Sequence, residues 1–254
     1  MAWNPGTYNK FKTERFAPFY DLLELVKVRA DMHVIDLGCG TGELTRKLAD
    51  KLPGSTVLGI DSSREMLHES SAFENQQVGF ACKSIEEQLG TNQKWDLVFS
   101  NAAIQWVDNH EKLLPKIIST VKANGQLVIQ VPAQHHNISN IMLNNLAGEE
   151  PFRTILQNWK RDSPVLDIDT YAKFFFENGS KSMTVYEKIY PLVLQNADAL
   201  FDWVSGTALI PYTEKLEAKD RQDFTHEYRK RLQSKFDKSP VFYPFKRIML
   251  EATF

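Results

Sequence analysis

The sequence predicts an α/β protein built on a doubly wound, mostly parallel seven-stranded sheet. Three observations carry that expectation. The stretch HVIDLGCGTG, from His33 to Gly42, is an apolar run (Val34, Ile35, Leu37) that feeds a turn with Gly38, Gly40 and Gly42, and a helix-like segment follows. Glycine permits positive φ and close approach of the backbone to a ligand, so the stretch reads as strand, tight loop and helix start. STVLGID then ends a second apolar run on an acid, Asp61. From there to Pro132, strand-like and helix-like segments alternate with short links, as parallel strands joined by helical crossovers do.

The elements follow in order. Asn4-Pro5-Gly6 is a turn signal, and Phe16, Phe19, Tyr20, Leu22, Leu23 and Val26 recur on one face of a helix reaching Val28. Strand one covers Met32 to Leu37. A helix with Leu44, Leu48 and Leu52 at four-residue spacing is stopped by Pro53-Gly54. Strand two is Thr56 to Asp61, after which Ser62 or Ser63 caps a helix through Met66 and Leu67. Strands three, four and five are Val78 to Cys82, Trp95 to Asn101 and a QLVIQVP run ending at Pro132; a helix over Glu111 to Val121, closed by Asn124-Gly125, precedes the last. The pattern then changes. Asn137 to Lys160 and Tyr171 to Asn178 read as helical. A strand over Thr184 to Leu194 is separated from a last strand, Phe245 to Thr253, by helices at Ala197 to Leu209 and Lys219 to Phe236. One of these two late strands is expected to be antiparallel, and the helices between them to roof a site.

Composition narrows the function. The chain has 254 residues and a net charge of −2. Nucleic-acid binding wants a basic surplus or stripe. The one dense basic cluster, Arg229, Lys230 and Arg231 near Lys235, is interleaved with Glu217, Asp220, Asp223 and Glu227 and reads as a solvated helix face. Two cysteines, Cys39 and Cys82, have neither metal-ligand spacing nor a disulfide framework. A reducing cytoplasm, a monomer, no bound metal, no nucleic-acid partner and no membrane association are expected. The N-terminus has no apolar core and does not read as a signal peptide, and no apolar run has the length of a membrane span.

The glycine loop differs from a dinucleotide fingerprint, G-x-G-x-x-G, because its third glycine, Gly42, comes one residue early and Glu43 stands where the fingerprint has glycine. Asp36 precedes the loop inside the strand. A pyrophosphate would not tolerate that carboxylate; a ligand with a cationic amino-acid tail would. S-adenosylmethionine carries an ammonium and a sulfonium and no phosphate, and Asp61 is placed to take two ribose hydroxyls. The other reading is a tight strand–helix turn in an unrelated α/β protein.

The D-x-G-x-G-x-G pattern resembles motif I of the class I methyltransferases, a Rossmann-like fold. The likeness narrows with MAWNPGTYNKFKTERFAPFYDLL, VIDLGCGTGELT, GIDSSREML, FSNAAIQWVDNHEKLLP, GQLVIQVP and FDWVSGTALIPY, which closely resemble the trans-aconitate 2-methyltransferase family over nearly the whole chain. That resemblance implies transfer of a methyl group from S-adenosylmethionine to a carboxylate of a small tricarboxylic acid. It also implies one methyltransferase domain over 1–254, with an arm at 1–30, a cofactor-binding core at 31–132, a helical segment at 133–183, and the last two strands at 184–254 with a helical roof at 197–238. Two departures stand out. The acid that usually follows the family's third strand is replaced by Ala81-Cys82-Lys83-Ser84-Ile85, and the PAQHHNISN segment differs from the family's.

Methyl transfer to a carboxylate is an in-line displacement at carbon on an acceptor already anionic at neutral pH. Alignment and desolvation are then the sources of rate, and no general base is expected. The cofactor residues are expected to be Asp36, Gly38, Cys39, Gly40, Gly42, Asp61, Ser62, Met66, Ser84, Ile85, Asn101 and Ala102. Met66 reads equally as a core methionine, and Asn101 also as a plain turn residue. Acceptor residues are expected among Trp3, Tyr8, Arg15, Gln105, Trp106, His135, Trp203 and Tyr212. Against these stand a core tryptophan at Trp106, a surface ion pair for Arg15, a loop histidine at His135 and a core role for Trp203. Arg15, His135, Arg161 and Arg247 are all candidate anchors for a tricarboxylate, and the sequence does not rank them. Other acceptors (a fatty or other organic acid, or another oxygen or nitrogen nucleophile) and a non-catalytic S-adenosylmethionine-binding protein remain as alternatives.

Overall fold

The structure is a computed structural model that describes residues 12–254, with side chains from Phe16 onward. Trp3 and Tyr8, and the side chain of Arg15, lie outside the described residues.

Helix α1 (Lys12–Glu24) leads into β1 (His33–Leu37), α2 (Glu43–Asp50), β2 (Thr56–Asp61), α3 (Arg64–Leu67), β3 (Val78–Cys82), α4 (Ile85–Leu89) and β4 (Trp95–Asn101). Then come α5 (His110–Ser119), β5 (Val121–Pro132), α6 (Ile138–Ala147), α7 (Phe152–Ile155) and α8 (Ile168–Glu177). The chain closes with β6 (Ser182–Leu194), α9 (Ala197–Ser205), α10 (Ile210–Thr213), α11 (Ala218–Lys235) and β7 (Val241–Thr253). The strands form one sheet in the order β3-β2-β1-β4-β5-β7-β6. Neighbours from β3 to β5 are parallel, and β7 runs antiparallel to β5. The expected seven-stranded, doubly wound sheet is therefore observed.

The parallel strands are covered on both faces, which explains their near-continuous apolar sequences. Val34, Ile35 and Leu37 of β1 and Leu97, Val98 and Phe99 of β4 are all buried. Strand order reverses between β1 and β4. The crevice outside the carboxyl ends of those two strands is where open α/β sheets bind ligands.

Several boundaries differ from the sequence reading. Helix α1 ends at Glu24 and not at Val28, because side chains of the sheet capture the chain beyond it. The Lys27 N–H donates to Gln126 Oε1 (3.0 Å), and Gln126 Nε2 donates to Leu25 O (2.8 Å). Asn124-Gly125 does turn the chain, but inside β5: Trp95 pairs with Val121 and Leu97 already pairs with Gln126, so the intervening residues bulge out. Asn124 takes the left-handed conformation this requires (φ 62°). Ser63, not Ser62, caps α3, its Oγ accepting from Met66 N (3.2 Å). β7 begins at Val241, four residues earlier than expected, because Val241 and Tyr243 alternate inward around exposed Phe242.

The described residues divide into two compact units, one of residues 18–132, 164–188 and 247–254, the other of residues 12–17, 133–163 and 189–246. The first holds the parallel sheet. The second has its own core, in which Phe224 stacks on Tyr212 (ring centroids 5.5 Å) and meets Phe152 edge-on (5.0 Å). Phe224 is fully buried, so Phe224→Ala removes a ring and leaves a cavity that packed neighbours fill only in part. We expect a loss of about 3–5 kcal/mol in unfolding free energy, read from a urea titration.

Candidate active site

The site is built on the carboxyl ends of β1, β2 and β4. Between β1 and α2 the chain turns through Gly38 (φ 82°), Gly40 (φ 57°) and Gly42 (φ 84°). At Gly42 a Cβ would come within 2.6 Å of the Phe80 ring, and at Gly38 within 2.1 Å of the Ala103 Cβ. The first clash shows how tightly the loop lies against β3. The second shows that the loop after β1 touches the turn after β4, which draws the two halves of the crevice together.

The loop's amides face back into the protein. Gly38 N and Cys39 N both donate to Ile60 O (2.9 Å each), Gly40 N donates to Asp61 Oδ2 (3.0 Å), and Gly42 N donates to Cys39 O (3.1 Å). A phosphate-binding loop aims its N–H groups at the ligand. Here four are already engaged within the protein, which disfavours a pyrophosphate and matches the sequence argument from Asp36.

Asp36 is buried and its carboxyl is strongly perturbed. Thr45, in the first turn of α2, donates its hydroxyl to Asp36 Oδ2 (2.6 Å), while Oδ1 is buried without a partner. Burial, reinforced by the charge of Asp61 and opposed by the Thr45 hydroxyl, pushes the Asp36 pKa up to about 7. An unpaired buried carboxylate oxygen is costly unless a donor comes to it. A cationic ligand group, directly or through a water, fits that demand. Burial and the same two carboxylates push the Cys39 thiol well above its ordinary value, so it stays protonated and unreactive.

Asp61 is held at both oxygens, Oδ2 by Gly40 N and Oδ1 by Ser63 N (2.9 Å). Each oxygen keeps a further lone pair for a ligand hydroxyl. Met66 lies beside the loop, half-buried, its methyl 3.1 Å from where a Cβ on Gly40 would sit. It is not a core methionine. Ser62 is exposed beside it. Ser84 caps α4 in a reciprocal box: its Oγ accepts from Glu87 N (3.1 Å) while Glu87 Oε2 accepts from Ser84 N (2.7 Å). The hydroxyl proton of Ser84 remains available. Ile85 follows, buried.

Asn101 ends β4, its Oδ1 buried and unpartnered. Ala102 takes a left-handed conformation (φ 54°), unusual for a residue with a Cβ and typical of strained turns at functional sites. Gln105 bends back, its Nε2 donating to Ala102 O (2.7 Å). Trp106 is 50% exposed, which removes the core reading of this residue. The turn carrying them is clamped from behind. His110 Nε2 donates to Ile104 O (2.8 Å), so Nδ1 must accept from the Tyr171 hydroxyl (2.5 Å), which in turn accepts from Leu166 N (3.2 Å). Burial lowers the His110 pKa and keeps the ring neutral, as this arrangement needs.

The remaining candidates belong to the second unit. His135 is exposed in a short 3-10 turn, Gln134–His136. Trp203 is buried edge-on against Phe245 (5.9 Å), and Tyr212 is buried with its hydroxyl donating to Asn144 Oδ1. Sequence reasoning missed Thr45, His110 and Tyr171. The legible hint for Thr45 was a small polar residue immediately after Leu44 at the start of an amphipathic helix; His110 and Tyr171 meet from separate elements.

Residues 29–179 match a family model described as a methyltransferase domain. The chain is 40% identical to trans-aconitate 2-methyltransferase of Deinococcus radiodurans, covering 100% of this chain and 98% of that one. It is 30% identical to the trans-aconitate 2-methyltransferase of Mycobacterium tuberculosis (strain ATCC 25177 / H37Ra), over 98% and 96% of the two chains. Its fold is similar to the crystal structure of a cyclopropane-fatty-acyl-phospholipid synthase-like protein from Lactobacillus casei, with TM-score 0.65 at 15% identity over 96% and 92% of the chains. With its motif I loop intact and its likeness running the full length of these relatives, the chain belongs to the trans-aconitate 2-methyltransferase family of class I S-adenosylmethionine-dependent methyltransferases.

Proposed function

We propose that the protein methylates a carboxylate of trans-aconitate or a closely related polycarboxylate. The observation that carries the cofactor half is the buried Asp36 carboxylate, with one oxygen unpaired, beside a glycine loop whose amides are already engaged. The acceptor is that of the full-length relatives. When bound, S-adenosylmethionine supplies an electrophilic methyl group on a sulfonium. The chain's residues then have three tasks. Asp36 and Asn101 Oδ1 accept from the amino-acid end of the cofactor. Asp61 holds the ribose hydroxyls, with Ser62, Met66, Ser84 and Ile85 around the adenine. Trp106, held out by the turn that His110 and Tyr171 clamp, covers the transfer position and excludes water. We place this activity in the cytoplasm, where the two free thiols, Cys39 and Cys82, stay reduced. Among the described residues, no helix is long and apolar enough to cross a membrane. We further propose that both compact units serve this one methyltransferase activity.

The direct test uses methyl-labelled S-adenosylmethionine and a panel of trans-aconitate, cis-aconitate, isocitrate and medium-chain fatty acids. We expect base-labile label on trans-aconitate. Transfer to a different acid alone would reassign the acceptor, and failure to bind the cofactor would overturn the reading.

Asp36 makes the binding pH-dependent. Its folded pKa, about 7, lies above the ordinary carboxylate value, so its contribution to the stability of the free protein is present below pH 4 and is lost as pH rises through 7. An ammonium ligand needs the ionised form, so affinity must move in the opposite direction. Between pH 6 and pH 7.5, where the ligand's own amine stays largely charged, calorimetry is expected to show roughly eightfold tighter cofactor binding. Asp36→Asn is expected to bind weakly and without this slope. A wild-type affinity flat across that range would remove Asp36 from the role.

Gly42→Ala tests the loop. The left-handed backbone and the 2.6 Å approach to Phe80 leave no room for a methyl group. We expect about 1–3 kcal/mol of lost stability and no thermal shift on adding cofactor.

A further inference from the structure

The sheet face that carries Asp36 and Asp61 continues into a second polar group. Asp36 pairs with Gly59 on one side and Phe99 on the other; Asn101 pairs with Gln130, Gln130 with Met249, and Pro132 with Arg247. Alternate residues of a strand share a face, so Asp61, Asp36, Asn101, Gln130 and Arg247 all project from the same side of the sheet at the carboxyl ends of the parallel strands. Gln130 is fully buried and Arg247 is 7% exposed. Arg247 Nη1 donates to Gln130 Oε1 (2.8 Å). A guanidinium only donates, so this bond fixes the amide orientation. The oxygen faces the arginine, and Gln130 Nε2 is left buried with no acceptor.

A buried amide donor with no acceptor, beside a guanidinium that carries five N–H donors, offers converging donors of the kind an anion needs. Gln130 is also fixed in place, since its backbone carbonyl accepts from Ala102 N (2.9 Å), the strained turn residue that follows Asn101. We infer that Arg247 and Gln130 Nε2 together grip a carboxylate of the acceptor other than the one that is methylated. This assignment rests on the carboxylate-acceptor reading above. One carboxylate oxygen meets the planar guanidinium and the other meets the amide nitrogen, and the fork geometry of arginine is what a lysine would not reproduce. Arg247 is thereby singled out from the four cationic candidates left unranked by sequence.

The test is steady-state kinetics of the whole chain with trans-aconitate at saturating S-adenosylmethionine, with cofactor affinity measured in parallel by calorimetry. Gln130→Leu roughly keeps the volume and the backbone bond and removes both the donor and the oxygen that positions Arg247; Arg247→Lys keeps the charge and loses the fork. We expect KM for trans-aconitate to rise about fivefold in Gln130→Leu and about 10- to 100-fold in Arg247→Lys. Cofactor affinity should be unchanged, and kcat should stay within about threefold, since a carboxylate held equally in ground and transition states is uniform binding. Unchanged KM in either folded variant, or cofactor affinity falling in step with KM, overturns the assignment. Should Arg247→Lys fail to fold, Gln130→Leu decides alone. If the unaltered chain methylates trans-aconitate and the variants keep its KM, this inference fails alone. If the unaltered chain methylates no carboxylic acid, the acceptor reading fails and takes this inference with it.

Discussion

The end of β2 holds the site together. The Ile60 carbonyl accepts two loop amides and the Asp61 side chain a third, so the turn after β1 is pinned to its neighbouring strand before any ligand arrives. That restraint fixes where α2 begins, and the start of α2 fixes Thr45. Thr45 reaches down to Asp36, leaving one carboxylate oxygen buried and unanswered. The resulting carboxyl is shifted because it is dry and lies near a second acid. The protein thus carries an unfavourable buried group that a cationic ligand relieves. Functional sites commonly hold such locally unfavourable features, stabilised by the surrounding fold.

The turn after β4 is restrained in a parallel way by a different device. Ala102 sits at positive φ with its amide tied to Gln130 O, and Ile104 is tied to the neutral His110–Tyr171 pair. Both turns approach each other at Gly38 and Ala103, where even a methyl group would not fit. Pre-set geometry of this kind is what a transfer reaction without acid–base chemistry requires, since alignment is then a main source of rate.

Much of this was legible in the sequence, and the reasons are physical. Glycines at 38, 40 and 42 and the acids at 36 and 61 are needed by local backbone geometry and by one ligand, so they leave a compact signature. The order of strands followed from alternation and short links. What was hidden depends on contacts between distant segments. Helix α1 stops at Glu24 because Gln126, about a hundred residues away, captures the chain beyond it. Asn124-Gly125 turns within a strand because Val121 already pairs with Trp95. Trp106 and Trp203 are each flanked by an apolar residue and an acid or amide; only the fold sends one to solvent and the other to a core. Gln130 sits in an apolar run, where its amide gave no hint of its role until register placed it opposite Asn101.

Register also orders the charges. Read along the sheet from β2 through β1, β4 and β5 to β7, the shared face presents two carboxylates, then two neutral amides, then a guanidinium. A cationic ligand is favoured at the first end and an anionic one at the last. Transfer of a methyl group from a cation to an anion removes both charges, so its transition state is less charged than its reactants. Burial penalises charged reactants more than such a transition state, which makes a dry crevice an accelerator for this chemistry when each reactant has its own counter-charge for binding. The neutral amides in the middle, Asn101 and Gln130, then fit the argument. A full charge at that position would favour one reactant over the transition state, whereas, in the roles proposed for them, an acceptor from one amide and a donor from the other would orient both reactants without stabilising either charge too strongly.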